Sequence, residues 1–231
     1  MKIRFLGSGG AFDYRYYNSS AILEWKGRHI LIDCGNRIYS RLCELGLAGL
    51  PDAVVITHLH DDHAGSLSSL LAHRIYMEKN RRPLCIYYPD RAFLGLLRDF
   101  LSFSIRPIDK YATFLPLDKL SGAQAIDSSG RHVSWMPGRA YLFQEGQEVL
   151  AYSGDLADEN FLFGKLKEKG MEGATVFHEI TFDPEAKSHS YYKEVQKHLQ
   201  NFSIYGYHCD PRDKAPDCRI PLVAETPGLC Y

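Results

Sequence analysis

Thr57-His58-Leu59-His60-Asp61-Asp62-His63-Ala64-Gly65 directly follows the apolar run Ala53-Val54-Val55-Ile56. A strand that ends in three imidazoles and two carboxylates is costly to place against a core unless a cation neutralises and satisfies them. Imidazole is the commonest neutral metal ligand, and carboxylate adds the charge that a divalent ion favours. His58 and His60 stand two apart, so at the end of an extended strand they point the same way. Asp62 and His63 follow as the chain turns, and Ala64-Gly65 lets a helix start close behind them. One short segment therefore presents ligands to two metal ions side by side. The cofactor expected is a pair of divalent ions, Zn2+ first, with Mn2+ or iron as alternatives.

The 231 residues are 45% hydrophobic and 24% charged, an ordinary balance for a globular protein with a sizeable core. A formal net charge of −1 gives no overall electrostatic drive toward nucleic acid. The opening Met1-Lys2-Ile3-Arg4-Phe5-Leu6-Gly7 lacks the long apolar region of a signal peptide, and no apolar run reaches membrane-spanning length. Cys34, Cys43, Cys85, Cys209, Cys218 and Cys230 form no Cys-x-x-Cys pair and read as free thiols. A cytoplasmic protein that makes no membrane contact is expected.

Alternating and short apolar runs predict strands over 2–6, 20–25, 29–33, 53–57 and 84–88, with helices over 37–45, 65–71 and 91–101. In the second half they predict strands over 131–135, 140–144, 148–152, 174–178 and 203–207, and helices over 159–169 and 191–200. No Pro/Ser/Gly-rich linker divides the halves. The reading is one α/β domain over 1–231, with two sheets face to face and helices outside. The stretch 102–130 shows no clear period and reads as an irregular insertion or a lid.

His58-Leu59-His60-Asp61-Asp62-His63 matches the His-x-His-x-Asp-His signature of the metallo-β-lactamase superfamily, which the chain resembles nearly end to end. Phe5-Leu6-Gly7-Ser8-Gly9-Gly10, Asn18-Ser19-Ser20 and Ile30-Leu31-Ile32-Asp33-Cys34-Gly35 are similar to the tRNase Z branch. The resemblance implies a four-layer αββα fold, two mixed β-sheets flanked by helices. It also implies the remaining ligands: His132 upstream of Ala140-Tyr141-Leu142-Phe143, Asp155 in Tyr152-Ser153-Gly154-Asp155, and His208 after Ile204-Tyr205-Gly206-Tyr207. One ion then takes His58, His60 and His132, the other Asp62, His63 and His208, with Asp155 between them. Asp61 reads as a nearby acceptor or a solvated side chain.

Two cations a few Å apart lower the pKa of a shared water and neutralise charge building on oxygen. The resemblance gives Asp62 the role of orienting the nucleophile and accepting its proton. His178-Glu179-Ile180-Thr181-Phe182 and Ser188-His189-Ser190 resemble the tRNase Z branch's His-Glu-Ala-Thr-Phe and His-Ser-Thr segments, with Ile180 and Ser190 as departures. There Glu179 would hold His189, which would protonate the leaving oxygen. His178 reads equally as a core histidine or as a participant.

These segments favour a phosphodiesterase over a hydrolase of another ester or thioester class. Only residues 133–154 separate His132 from Asp155, too few for the arm with which the tRNA-maturing enzymes of that branch grip tRNA. A small, cyclic-nucleotide-type phosphodiester is therefore the expected partner, and a tRNase Z-like RNA 3′-processing endoribonuclease acting on long RNA is the alternative. The aromatic loop Phe12-Asp13-Tyr14-Arg15-Tyr16-Tyr17-Asn18 is a candidate for stacking on a base. Arg106, Lys110 and Tyr111 are weaker candidates in the expected lid. A homodimer is an expectation carried by the resemblance alone.

Overall fold

The computed structural model describes residues 1–79 and 81–231. Its first sheet has six strands in sequence order: β1 (Lys2–Gly7), β2 (Ser20–Trp25), β3 (Arg28–Ile32), β4 (Ala53–Val55), β5 (Leu84–Tyr88) and β6 (Ala112–Pro116). The first three form an antiparallel meander and the last three continue in parallel. The second sheet repeats this plan with five strands: β7 (Ala123–Asp127), β8 (Arg139–Glu145), β9 (Glu148–Tyr152), β10 (Thr175–Glu179) and β11 (Ser203–Tyr207). Here β7, β8 and β9 run antiparallel, and β9, β10 and β11 are parallel.

The period-2 pattern of the strands sorts their side chains between two cores. Ile3 and Phe5, Leu23 and Trp25, Ile30 and Ile32, Tyr141 and Phe143, and Tyr152 all enter the layer between the sheets. Their neighbours Ile22, Leu31 and Val54 face outward, onto α1 (Ile38–Glu44), α3 (Leu67–Tyr76) and α4 (Arg91–Ser102). On the opposite side Leu142, Ala151, Val176 and Ile204 meet α5 (Phe161–Glu168) and α6 (Tyr192–Val195). The layers are therefore helix, sheet, sheet, helix, the metallo-β-lactamase arrangement. The short α2 (Asp61–Ala64) stands apart from these layers, at the strand ends.

Two expectations are corrected. Residues 102–130 are not a lid: they carry β6 and β7, one to the edge of each sheet, and so form the crossover between halves. Arg106 bonds the Ser102 carbonyl, and Lys110 and Tyr111 bond the Tyr76 hydroxyl, so none of the three serves a site there. No strand forms over 131–135. Ser128-Ser129-Gly130 turns the chain, with Gly130 at φ 73°, and β7 takes the place beside β8 with Ala125 opposite Tyr141. Short strands with mixed polar positions, such as Ala123-Gln124-Ala125-Ile126-Asp127, carry little period signal. Among the described residues no helix is long and apolar enough to cross a membrane.

Phe5 is the hinge pin of the inner layer, its ring 5.3 Å from Phe177, 5.6 Å from Tyr207 and 6.0 Å from Tyr152. Phe5→Ala is expected to cost about 3–5 kcal/mol of stability. Urea unfolding should show a lower midpoint at an unchanged slope, and a loss under 1 kcal/mol would contradict this packing.

Candidate metal centre and active site

The C-terminal ends of the parallel strands meet at one edge of the two sheets, where open α/β sheets place their ligands. His58 and His60 follow β4, Asp155 follows β9, Glu179 ends β10 and His208 follows β11. Asp62 and His63 ride on α2, whose turn is closed by the amides of His63 and Ala64 on the His60 carbonyl at 3.0 and 2.9 Å. His132 comes from the loop between β7 and β8, and His189 from the loop between β10 and α6. The loop after β3 lies so close to α2 that a Cβ on Gly35 would sit 1.8 Å from the Asp62 carbonyl oxygen, which only glycine allows.

The ligand atoms fall into two groups. Within each, every atom lies within 4.8 Å of the others: His58, His60 and His132 in one, and Asp62, His63, Asp155 and His208 in the other. His60 Nδ1 stands 3.0 Å from His58 Nε2 and 3.3 Å from His132 Nε2. Asp155 reaches both groups. Its Oδ1 is 3.2 Å from His63 Nε2, and its Oδ2 is 3.4 Å from His208 Nε2, 3.7 Å from His132 Nε2 and 3.9 Å from His58 Nε2. Asp62 Oδ2 lies 3.3 Å from His63 Nε2 and 3.9 Å from His208 Nε2.

The opposite ring nitrogens are fixed by the protein, which sets each tautomer. His63 Nδ1 donates to Asp33 Oδ2 at 2.8 Å, and His58 Nδ1 donates to Thr57 Oγ1 at 3.1 Å. His132 Nδ1 donates to the Ser188 carbonyl at 2.6 Å, and His208 Nδ1 donates to Ser19 Oγ at 3.2 Å. Four Nε2 atoms are thus left as lone-pair donors aimed at the cluster. His63 Nε2 and Asp155 Oδ1 are buried, face each other, and have no hydrogen-bond partner. Buried polar atoms are seldom left so, and an imidazole lone pair beside a carboxylate oxygen is a donor pair for a cation. The residues fit a divalent metal centre.

Burial depresses His58 well below the usual imidazole range and takes His208 down to about 4, so both are neutral near pH 7. For Asp62 and Asp155 burial favours the neutral acid, but the His63 imidazole beside them outweighs it and keeps both ionised. Burial draws His63 down in turn, but Asp155 and Asp33 raise it well above the usual imidazole range, so its Nε2 carries a proton that a bound cation would displace. Neutral imidazoles and ionised carboxylates are the forms in which these groups bind metal.

Glu179 and His189 form a second constellation beside the first. The buried Glu179 carboxylate accepts from the Leu156 and Ser190 amides at 2.9 and 3.1 Å with Oε1, and from His189 Nδ1 at 3.2 Å with Oε2. Burial draws the His189 imidazole down, but the Glu179 hydrogen bond and charge reverse this and raise it to about 9. Burial also pushes the Glu179 carboxyl up to about 7, so the pair shares one proton that rests on His189, which has a nitrogen within reach of His132 and Asp155. His178 takes no part. Fully buried, it stacks on Phe163 at 5.2 Å and donates Nδ1 to the Glu179 carbonyl at 2.7 Å, supporting that residue from behind.

Residues 1–216 match the family model described as Anti-Pycsar protein Apyc1. The chain belongs to this family. The Anti-Pycsar protein Apyc1 of Paenibacillus harenae is 29% identical over 211 residues, covering 84% of this chain and 83% of that protein. Its namesake from Bacillus phage vB_BsuM-Goe3 is 30% identical over 182 residues, 70% of each chain. Among solved structures, human tRNase Z, short form, matches with a TM-score of 0.67 at 20% identity over 93% of this chain and 95% of its own. A diphosphatase from the PhnP family matches at 0.65 and 18% identity, over 95% and 92%. These likenesses carry the metallo-β-lactamase fold, and this Apyc1-family chain is a metal-dependent hydrolase.

Asp61 is exposed and lines the cavity without joining either ligand group, in keeping with a solvated carboxylate. Of the aromatic loop, Phe12 alone lines the cavity over the cluster. Tyr17 is held between the Arg37 and Arg41 guanidiniums, 4.8 and 4.7 Å from its ring, and Asn18 is buried in the backbone of its own loop. Three supports escaped the sequence reading: Asp33, Thr57 and Ser19. Asp33 had a readable signal, a carboxylate closing the apolar run Ile30-Leu31-Ile32 beside the ligand strand. Asp33→Asn should weaken metal affinity about 10–100-fold, because it disturbs His63 and Thr57 together. Competition against a chromophoric chelator measures this, and unchanged affinity would refute the support role.

Proposed function

We propose that the chain is a phosphodiesterase that opens small cyclic nucleotides at a dinuclear centre, with residues 1–231 acting as one hydrolase domain. Membership of the Apyc1 family supports the substrate class. The observation that carries the chemistry is the pair of buried Glu179 and half-buried His189 set against the seven-ligand cluster. His58, His60 and His132 would hold one ion and Asp62, His63 and His208 the other, with Asp155 shared. Five imidazoles among seven ligands favour zinc. The six free cysteines suit a reducing cytoplasm, and a homodimer belongs to the same reading.

Bound divalent ions would supply Lewis acidity at phosphorus and make water acidic enough to ionise near neutral pH. The chain's own groups do the rest. Asp62, held as a carboxylate, takes the proton of the attacking water. His189, held as a cation by Glu179, gives its proton to the departing ribose oxygen, so no alkoxide has to leave unaided. Glu179 keeps the imidazole turned and charged, and its own three donors keep it from moving.

The deciding experiment presents 3′,5′-cyclic mononucleotides, cyclic dinucleotides and a tRNA precursor to the metal-loaded protein. Turnover of cyclic nucleotides with an intact tRNA precursor is expected, and cleavage of the RNA alone would overturn the reading. His189→Ala should lower kcat about 10²–10⁴-fold. Elemental analysis should find its metal content unchanged. A variant that keeps wild-type kcat would remove His189 from the chemistry.

A further inference from the structure

Trp135 is 71% exposed and Phe12 fully so, and both line the same cavity of about 1090 Å³ whose floor is the metal cluster. Large aromatic side chains left in water on a soluble protein mark a surface meant to be covered. Trp135 is not exposed through looseness. The loop that carries it is closed by the Ser128 amide on the Gly138 carbonyl at 3.0 Å and by the Met136 amide on the Val133 carbonyl at 3.1 Å. The next residue, Met136, is buried, and Arg139 ties the loop's base to Asp127 and Ser129 at 2.7 and 2.8 Å. The indole is therefore presented in a fixed place. Its ring lies 5.6 Å from that of His60 at an interplanar angle of 69°, which puts the indole beside the first ligand group.

The remaining walls say what would cover it. Leu59, Leu96, Phe100, Val133 and Pro137 are apolar, and no Lys or Arg is among the described residues that line the cavity. A flat, uncharged group next to the phosphate fits this wall, and a second phosphate placed against it would meet no Lys or Arg. We propose that Trp135, with Phe12 as a second wall, is the platform on which the nucleobase stacks, and so the residue that makes a nucleotide a better substrate than its sugar phosphate. This rests on the phosphodiesterase reading above. Base–aromatic stacking accepts any base and acts on substrate and transition state alike, so its loss appears in KM rather than kcat.

The test compares 3′,5′-cyclic AMP with the 3′,5′-cyclic phosphate of abasic ribose, on wild type, Trp135→Ala and Trp135→Phe loaded with the same metal. For cyclic AMP, Trp135→Ala should raise KM about tenfold or more, with Trp135→Phe restoring most of it. For the abasic compound, KM should be alike in all three proteins, and wild type should bind it more weakly than cyclic AMP. Equal losses on both substrates would mean that Trp135 only supports His60, and no loss on either would mean that it touches no substrate; each overturns the proposal. If Trp135→Ala does not fold, the wild-type difference between the two substrates and the Phe variant decide. Turnover of neither compound by wild type would fail the phosphodiesterase reading itself, an outcome distinct from the variant results.

Discussion

The Asp33 carboxylate is the point on which the centre turns. It is fully buried at the end of β3, where it accepts from the Thr57 amide at 2.7 Å, the Thr57 hydroxyl at 2.8 Å and His63 Nδ1 at 2.8 Å. A buried carboxylate costs several kcal/mol unless its lone pairs are met, and three donors meet them here. Its own backbone sits at φ 63°, a left-handed conformation that costs an aspartate about 1–3 kcal/mol and persists only where the surroundings impose it. The return is that one side chain aims a ligand in each group. It turns His63 directly and His58 through the Thr57 hydroxyl.

The same economy recurs across the sheet pair. Each sheet changes from an antiparallel meander to parallel strands, and the parallel ends converge from opposite sides on the same edge. Ligands delivered from strand ends inherit the rigidity of the two cores, and the loops between them need only be short. His208 shows the cost of the last step: it too stands at positive φ, 64°, immediately after β11, with its amide bonded to the Ser8 carbonyl at 2.7 Å. Backbone strain at two positions of one site, one a ligand and one its support, matches the pattern in which folds hold functional groups where local preference would not.

What the sequence discloses follows from this layout. His58, His60, Asp62 and His63 are legible because four ligands share one stretch after an apolar strand, whereas Asp155 and His208 are reached through the superfamily resemblance, each placed after a strand that the pattern does predict. His132 is legible only through resemblance. It lies on the β7–β8 loop rather than on the strand expected over 131–135. The edge strands β6 and β7 are hidden because each is covered on one side only, so polar residues such as Thr113 and Gln124 interrupt their apolar period. The roles of Asp33 and Ser19 rest on contacts across the fold, Asp33 with Thr57 and His63 at 24 and 30 positions and Ser19 with His208 at 189. Thr57 serves its neighbour His58 through a hydroxyl that Asp33 fixes.

Charge placement separates small substrates from long ones. A phosphodiester carries one negative charge, and the ligand cluster is built to collect cations at a single spot. A nucleic-acid strand adds a charge at every step and is normally met by a track of Lys and Arg. Near this centre the guanidiniums are committed elsewhere: Arg131 to Asp158 at 2.6 Å, Arg139 to Asp127 at 2.7 Å, and Arg37 and Arg41 to the Tyr17 ring. The segment from His132 to Asp155 is used up by a loop, β8, a tight turn and β9, leaving nothing to reach outward. Among the described residues that line the cavity there is no Lys or Arg, an arrangement that supports the proposed preference for a single phosphodiester over a strand.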